Sequence, residues 1–141
     1  MTGRRQDLGA SFARLTRAMI DAETPILAAR GVGMWEYVVL SALEDGAAPT
    51  QAELAATVRR DKTRLIPILD ALEGRGLLSR TPDPADRRNR VVALTEPGRA
   101  VLAACRAGVR AMEDEFLAAV PAAERRIFTT VLEQLADRTS R

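Results

Sequence analysis

Between Thr50 and Thr95 the apolar residues change period twice, and that change narrows the folds open to the chain. Thr50-Gln51-Ala52-Glu53 is a capping box, in which the Thr50 hydroxyl and the Glu53 carboxylate each satisfy a backbone N–H of the other's residue. It predicts a short helix over 51–58, with Leu54, Ala55 and Val58 inward. Asp61 is suited to cap a second helix over 62–74, which buries Leu65, Ile68, Leu69 and Leu72. Gly76 follows, and two short runs, 77–81 and 90–94, then read as strands. The loop between them, 82–89, is rich in turn formers and turns basic at Arg87 and Arg88. The expected unit is two short helices across a tight turn, followed by an arginine-bearing β-hairpin.

Longer helices flank this unit. Leu8, Phe12, Leu15 and Met19 form a stripe that predicts a helix over 6–29, with Pro25 a kink or break and Gly31 and Gly33 its end. Residues 34–45 read as a buried helix closed by Gly46, with Trp35, Val38, Val39, Ala42 and Leu43 inward. Thr95 is placed to cap a helix over 96–119 carrying Val101, Cys105, Val109, Met112, Phe116 and Val120. Pro121 is expected at the first position of a last helix with Ile127 or Phe128, Val131, Leu132 and Leu135 on its stripe. The expected fold is mainly α, a winged helix-turn-helix with a two-stranded β-hairpin wing.

Charge and composition bear on function by exclusion and by placement. The net charge is only +2, but residues 57–90 carry +4 while the segments before and after carry −2 and 0. A local basic patch favours a polyanionic partner over a uniformly solvated surface. The chain has no histidine and one cysteine, Cys105. That argues against a zinc site, an intrachain disulfide and the usual general base of an enzyme, and no cofactor is expected. No apolar leader or membrane-spanning run is apparent, so a cytoplasmic protein is expected.

A helix fits the major groove of B-DNA, and the second helix of a helix-turn-helix sends its N-terminal side chains to base edges. Those are Lys62, Thr63 and Arg64, with Arg64 able to bond guanine O6 and N7 together. Thr50 and Gln51, at the start of the preceding helix, and Arg59 and Arg60, in the turn, are candidate phosphate contacts. Arg87, Arg88 and Arg90 would reach an adjacent minor groove, unless they simply pair with Asp83 and Asp86 on a solvated hairpin.

The stretch Leu69-Asp70-Ala71-Leu72-Glu73-Gly74-Arg75-Gly76-Leu77-Leu78-Ser79-Arg80 resembles the end of the recognition helix and the first wing strand of MarR-type transcription regulators. Asp83-Pro84-Ala85-Asp86-Arg87-Arg88-Asn89-Arg90 resembles their wing loop, and Val92-Ala93-Leu94-Thr95-Glu96-Pro97-Gly98-Arg99 the second strand and the helix after it. The resemblance implies a single winged-helix subunit over 1–141, with a DNA-binding lobe at 34–97 and dimerisation helices at 1–33 and 98–141. It implies a homodimer on a pseudo-palindromic operator, more commonly a repressor than an activator. It also implies a brace between Asp61 and Arg88. One departure stands out: Ile66-Pro67 occupies the middle of the recognition helix, where family members commonly carry Thr-Arg. Pro67 removes the N–H that would bond the Thr63 carbonyl, so a kinked or late-starting helix is expected.

Regulators of this type often bind a small aromatic or anionic effector. Two readings stand for Phe12, Met19, Trp35, Val38 and Met112: plain core, which helical spacing favours, or the walls of an adaptable effector pocket. Cys105 lies on an apolar stripe and reads as a buried, inert thiol. The rival to DNA binding is a winged-helix protein-interaction module, against which Arg64, Arg87 and Arg88 speak.

Overall fold

A computed structural model describes residues 4–46 and 49–140. The chain divides into two compact units, residues 1–109 and 110–141. In chain order the elements are α1 (Leu8–Ala28), α2 (Met34–Ala42), α3 (Gln51–Val58), α4 (Lys62–Gly74), β1 (Leu78–Pro82), β2 (Arg90–Leu94), α5 (Glu96–Phe116) and α6 (Ala122–Thr139).

The first unit is built on aliphatic side chains, as a chain with 4% aromatic residues requires. Leu27, Val39, Leu40, Leu43, Leu54, Leu65, Leu69, Leu72, Leu78 and Val92 are almost wholly buried. α3 carries the capping box as expected: Glu53 N–H donates to Thr50 Oγ1 at 3.1 Å, and Thr50 N–H to Glu53 Oε1 at 3.2 Å. Asp61 caps α4, its Oδ1 accepting from the Arg64 N–H at 2.9 Å. α4 starts at Lys62 and continues through Pro67 to Gly74, so the proline neither delays nor ends it. An interior proline costs a helix about 3 kcal/mol. Here the buried line of Leu65, Leu69 and Leu72 holds the helix across it.

The hairpin pairs antiparallel from Leu78 opposite Leu94 to Pro82 opposite Arg90. Thr50 bridges to Val91, and Val92 N–H donates to the Pro49 carbonyl at 2.9 Å, so the start of α3 adjoins the second strand. Gly76 makes the turn out of α4 at φ +74°, a conformation that favours glycine. The Thr95 hydroxyl donates to the Gly76 carbonyl at 2.6 Å and accepts from the Gly98 N–H at 3.0 Å, joining that turn to the cap of α5.

Several sequence expectations are corrected. α2 buries Tyr37, Val39 and Leu40, and Leu43 is buried just after it, whereas Trp35 is 39% exposed. The apolar face is rotated because Tyr37 and Leu40, not Trp35, turn inward. The buried line of α5 is Gly98, Leu102, Cys105 and Val109, with Leu102 in place of Val101. α5 ends at Phe116, and Pro121 is the N-cap of α6 rather than its first residue. In the second unit α6 buries no residue. Ile127, Phe128, Val131, Leu132 and Leu135 are all exposed. Among the described residues no helix is long and apolar enough to cross a membrane.

Candidate nucleic-acid interface

The turn between α3 and α4 sets the first part of the site. Arg59 closes α3 in the left-handed region at φ 54°, which is unusual for a residue with a Cβ. The Arg60 guanidinium follows and lies 4.1 Å from the centroid of the Trp35 ring, a cation–π contact that fixes its direction. α4 then opens with Lys62, Thr63 and Arg64, all exposed. The Arg64 side chain is 71% exposed, with Nε 3.5 Å from Asp61 Oδ2.

The wing tip is shaped by two aspartates that bond to backbone just ahead of them. Ala85 N–H donates to Asp83 Oδ1 at 2.9 Å, and Arg88 N–H to Asp86 Oδ1 at 3.1 Å. Arg87, Arg88 and Arg90 are exposed at this tip. Arg88 also donates through its side chain to Asp86, which holds the Asp86 carboxyl below the usual carboxylate range. Arg90 donates to the Arg80 carbonyl at 3.4 Å.

Arg80 ties the wing to both helices. From β1 its guanidinium donates to Asp70 at 2.6 Å and Glu73 at 3.0 Å on α4, and to Gln51 at 3.2 Å on α3. Its backbone N–H donates to Glu73 as well, at 3.0 Å. The side chain is only 10% exposed. The side-chain hydrogen bond from Arg80 holds the Glu73 carboxyl low, against a smaller opposing push from burial, and the same bond raises the Arg80 guanidinium. Sequence reasoning missed this residue. The available signal was the pair Asp70 and Glu73, one helical turn apart, followed by a cation in the next strand.

The MarR family model matches residues 34–89. Over 100 residues the chain is 32% identical to the transcriptional regulator HosA of Escherichia coli O111:H-, covering 71% of this chain and 74% of that one. The chain belongs to the MarR family. Over 102 residues, 72% of the chain, it is 33% identical to the HTH-type transcriptional repressor NicR of Pseudomonas putida. That match spans 65% of NicR, just under two thirds of its length. The fold matches the transcriptional repressor CouR bound to a 23-mer DNA duplex, with a TM-score of 0.81, 30% identity and 92% of each chain covered. It also matches CouR from Rhodococcus jostii RHA1 bound to p-coumaroyl-CoA, with a TM-score of 0.77, 26% identity and 96% of each chain covered.

Within this MarR-family subunit the expected site residues divide. Lys62, Thr63, Arg64, Arg87, Arg88 and Arg90 present themselves to solvent on α4 and the wing. Gln51 does not: its side chain is 9% exposed and accepts from Arg80. The Thr50 and Glu53 N–H groups at the start of α3 are taken up by the capping box. The brace expected between Asp61 and Arg88 is not formed. Each partner has a nearer one in its own turn, Arg64 for Asp61 and Asp86 for Arg88.

The residues weighed as an effector pocket are not core. Phe12 is 42% exposed and Trp35 39%, while Met19, Val38 and Met112 are half-buried. Three shallow grooves along α1 share Arg14 in their lining, and none of the five borders these. Cys105 is buried, and burial pushes its thiol up, with a smaller opposing effect from Arg30. No group of acidic, histidine or cysteine side chains among the described residues is placed to hold a metal ion.

Proposed function

We propose that the chain acts as a homodimeric repressor in the cytoplasm, binding a pseudo-palindromic operator through α4 and the wing. The observation that carries this reading is the pairing of two exposed basic surfaces through one buried residue. Lys62, Thr63 and Arg64 open α4, Arg87, Arg88 and Arg90 tip the wing, and Arg80 fixes the wing root against α4. Arg64 reads a guanine, and the wing arginines and Arg59 and Arg60 neutralise phosphate. Residues 34–97 form the DNA-binding lobe. Residues 1–33 and 98–141 form the dimer, which would cover the exposed Phe12, Leu15, Phe128 and Leu132. A two-fold axis then sets the two α4 helices about 34 Å apart, one turn of DNA. An effector with an aromatic or anionic group releases the operator, in the manner that the CouR complexes with DNA and with an acyl-CoA suggest for a relative. No enzymatic step is proposed.

Selection of bound duplexes from random sequence at about 150 mM salt tests this, because at that ionic strength non-specific phosphate binding is weak. A two-fold-symmetric motif is expected. If about six phosphates are neutralised per protomer, the log–log salt slope should be roughly −5 per protomer. Absence of any enriched motif would overturn the reading.

A further inference from the structure

The exposed face of α4 is unusual for a helix expected to read bases. Leu65, Leu69 and Leu72 point into the core, which places Thr63, Pro67, Asp70 and Ala71 along the opposite, exposed side at helical spacing. Pro67 is exposed and has no N–H, and its ring presents only methylene groups. Ala71 presents a methyl group. Thr63 adds a methyl beside its hydroxyl. Asp70 is the one charged group on this line, and its Oδ1 is held by Arg80 at 2.6 Å. Beyond the first turn, this face therefore offers the groove almost no free hydrogen-bonding side chain. Cations flank it at its start, in Lys62 and Arg64.

In the major groove each base pair shows donors and acceptors, and the one apolar group among them is the thymine C5-methyl. A line of methyl and methylene groups gains contact there and gains nothing over a cytosine amino group or a guanine carbonyl. We infer that α4 selects thymines through Thr63, Pro67 and Ala71, with Arg64 setting the register on a neighbouring guanine. The inference rests on the DNA-binding reading above and specifies what the operator half-site contains. Pro67, which weakens α4, thus also supplies part of this reading surface, while Leu65, Leu69 and Leu72 hold the helix across it.

The test starts from the selected operator. Each thymidine of a half-site is replaced in turn by deoxyuridine, which removes the methyl group and leaves base pairing intact. Affinity is measured by fluorescence anisotropy with the full chain. Two or three positions per half-site should each lose about 4-fold, the value of one buried methyl, and thymidines outside the half-site should lose nothing. Pro67→Ala should raise the melting temperature, because it restores a helix N–H, while weakening operator binding and blunting the deoxyuridine effect at one position. A half-site without thymine, or one in which every replacement leaves affinity unchanged within 2-fold, overturns the inference while operator binding itself stands. No enriched motif at all overturns the DNA-binding reading, a separate and recognisable failure.

Discussion

Arg80 donates from Nη2 to Asp70 Oδ1 at 2.6 Å, and this contact joins the first wing strand to the outer turn of the recognition helix. The same guanidinium reaches Glu73 and Gln51, so α3 and α4 both lose a partner on β1 if it is removed. Arg80→Met should cost about 2 kcal/mol of stability, since a charge-assisted bond is lost and partly covered acids are left unpaired. It should also weaken operator binding more than non-specific binding, because the wing then takes up a wider range of angles. Thermal melts and paired affinity measurements on operator and random duplex check both effects.

The same contact gives the protein an acid-side sensitivity. Glu73 titrates below its ordinary value of 4.5 in the folded chain, chiefly through its hydrogen bond with Arg80. A carboxyl lowered on folding stabilises fully above its unfolded value and loses that contribution as pH falls through the folded one. Stability of the native chain should therefore decline as pH drops below about 4.5, with Glu73→Gln removing part of the decline. Melting temperatures between pH 3 and 7 measure it, and identical slopes for the two proteins would remove Glu73 as a cause.

Gly98 sits where α5 presses on the turn before β1. A Cβ built there would lie 1.8 Å from the Leu77 carbonyl oxygen, and backbone cannot move aside as a side-chain tip can. Gly98→Ala should destabilise by more than about 3 kcal/mol, at the upper end of overpacking costs. Gly46→Ala, with open space around it but a φ of +73°, should cost less. Denaturant unfolding of the two variants ranks them.

The winged-helix unit was legible in the sequence because each of its boundaries carries a local signal. Thr50 and Asp61 cap, Gly76 turns, and the hairpin alternates between turn-rich ends, so these elements fall within a residue or so of their expected limits. What could not be read depends on partners far along the chain. The inward face of α2 is set by what packs on it, and Trp35 turned out to lie against Arg60, twenty-five residues away. Arg80 shows a related limit: Asp70 and Glu73 are near in sequence but on another element, and only the packing of β1 against α4 decides that they meet. The Asp61–Arg88 brace failed for the opposite reason, since each residue had a neighbour within three positions that reached it first.

Asp61 accordingly acts at the start of α4, as its cap and beside the Arg64 side chain. Asp61→Ala should cost about 1 kcal/mol of stability, the usual value of an N-cap. Hydrogen exchange in the hairpin, 78–94, should be unchanged, because no bond from Asp61 reaches the wing. A loss of protection confined to the hairpin would restore the brace.

Trp35 is the only tryptophan, and the Arg60 guanidinium over its ring makes its emission a reporter of the turn between α3 and α4. Arg60→Ala should change that emission in the free protein. If Arg60 meets a phosphate, the variant should also weaken all duplexes alike and reduce the salt slope by about 1. Trp35→Leu keeps the charge but removes the stack, and should lose only about 2- to 5-fold in affinity, the value of an exposed cation–π contact. Equal losses in the two variants would mean that the stack, rather than the charge, accounts for the effect.

The dimer prediction rests on α6. Five large apolar side chains, Ile127, Phe128, Val131, Leu132 and Leu135, are exposed on one helix of 18 residues, and no residue of that helix is buried. A contiguous apolar face of this kind marks an association surface rather than a solvated one. Val131→Lys combined with Leu135→Lys should convert a dimer to a monomer in sedimentation velocity. If each protomer contacts one half-site, the log–log salt slope of the variant should fall to about half that of the dimer. The capping box of α3 and the core of the first unit should still give a cooperative melt. A variant that remains dimeric at micromolar concentration would show that α6 lies outside the interface, and would shift attention to the exposed Leu8, Phe12, Leu15 and Ile20 of α1.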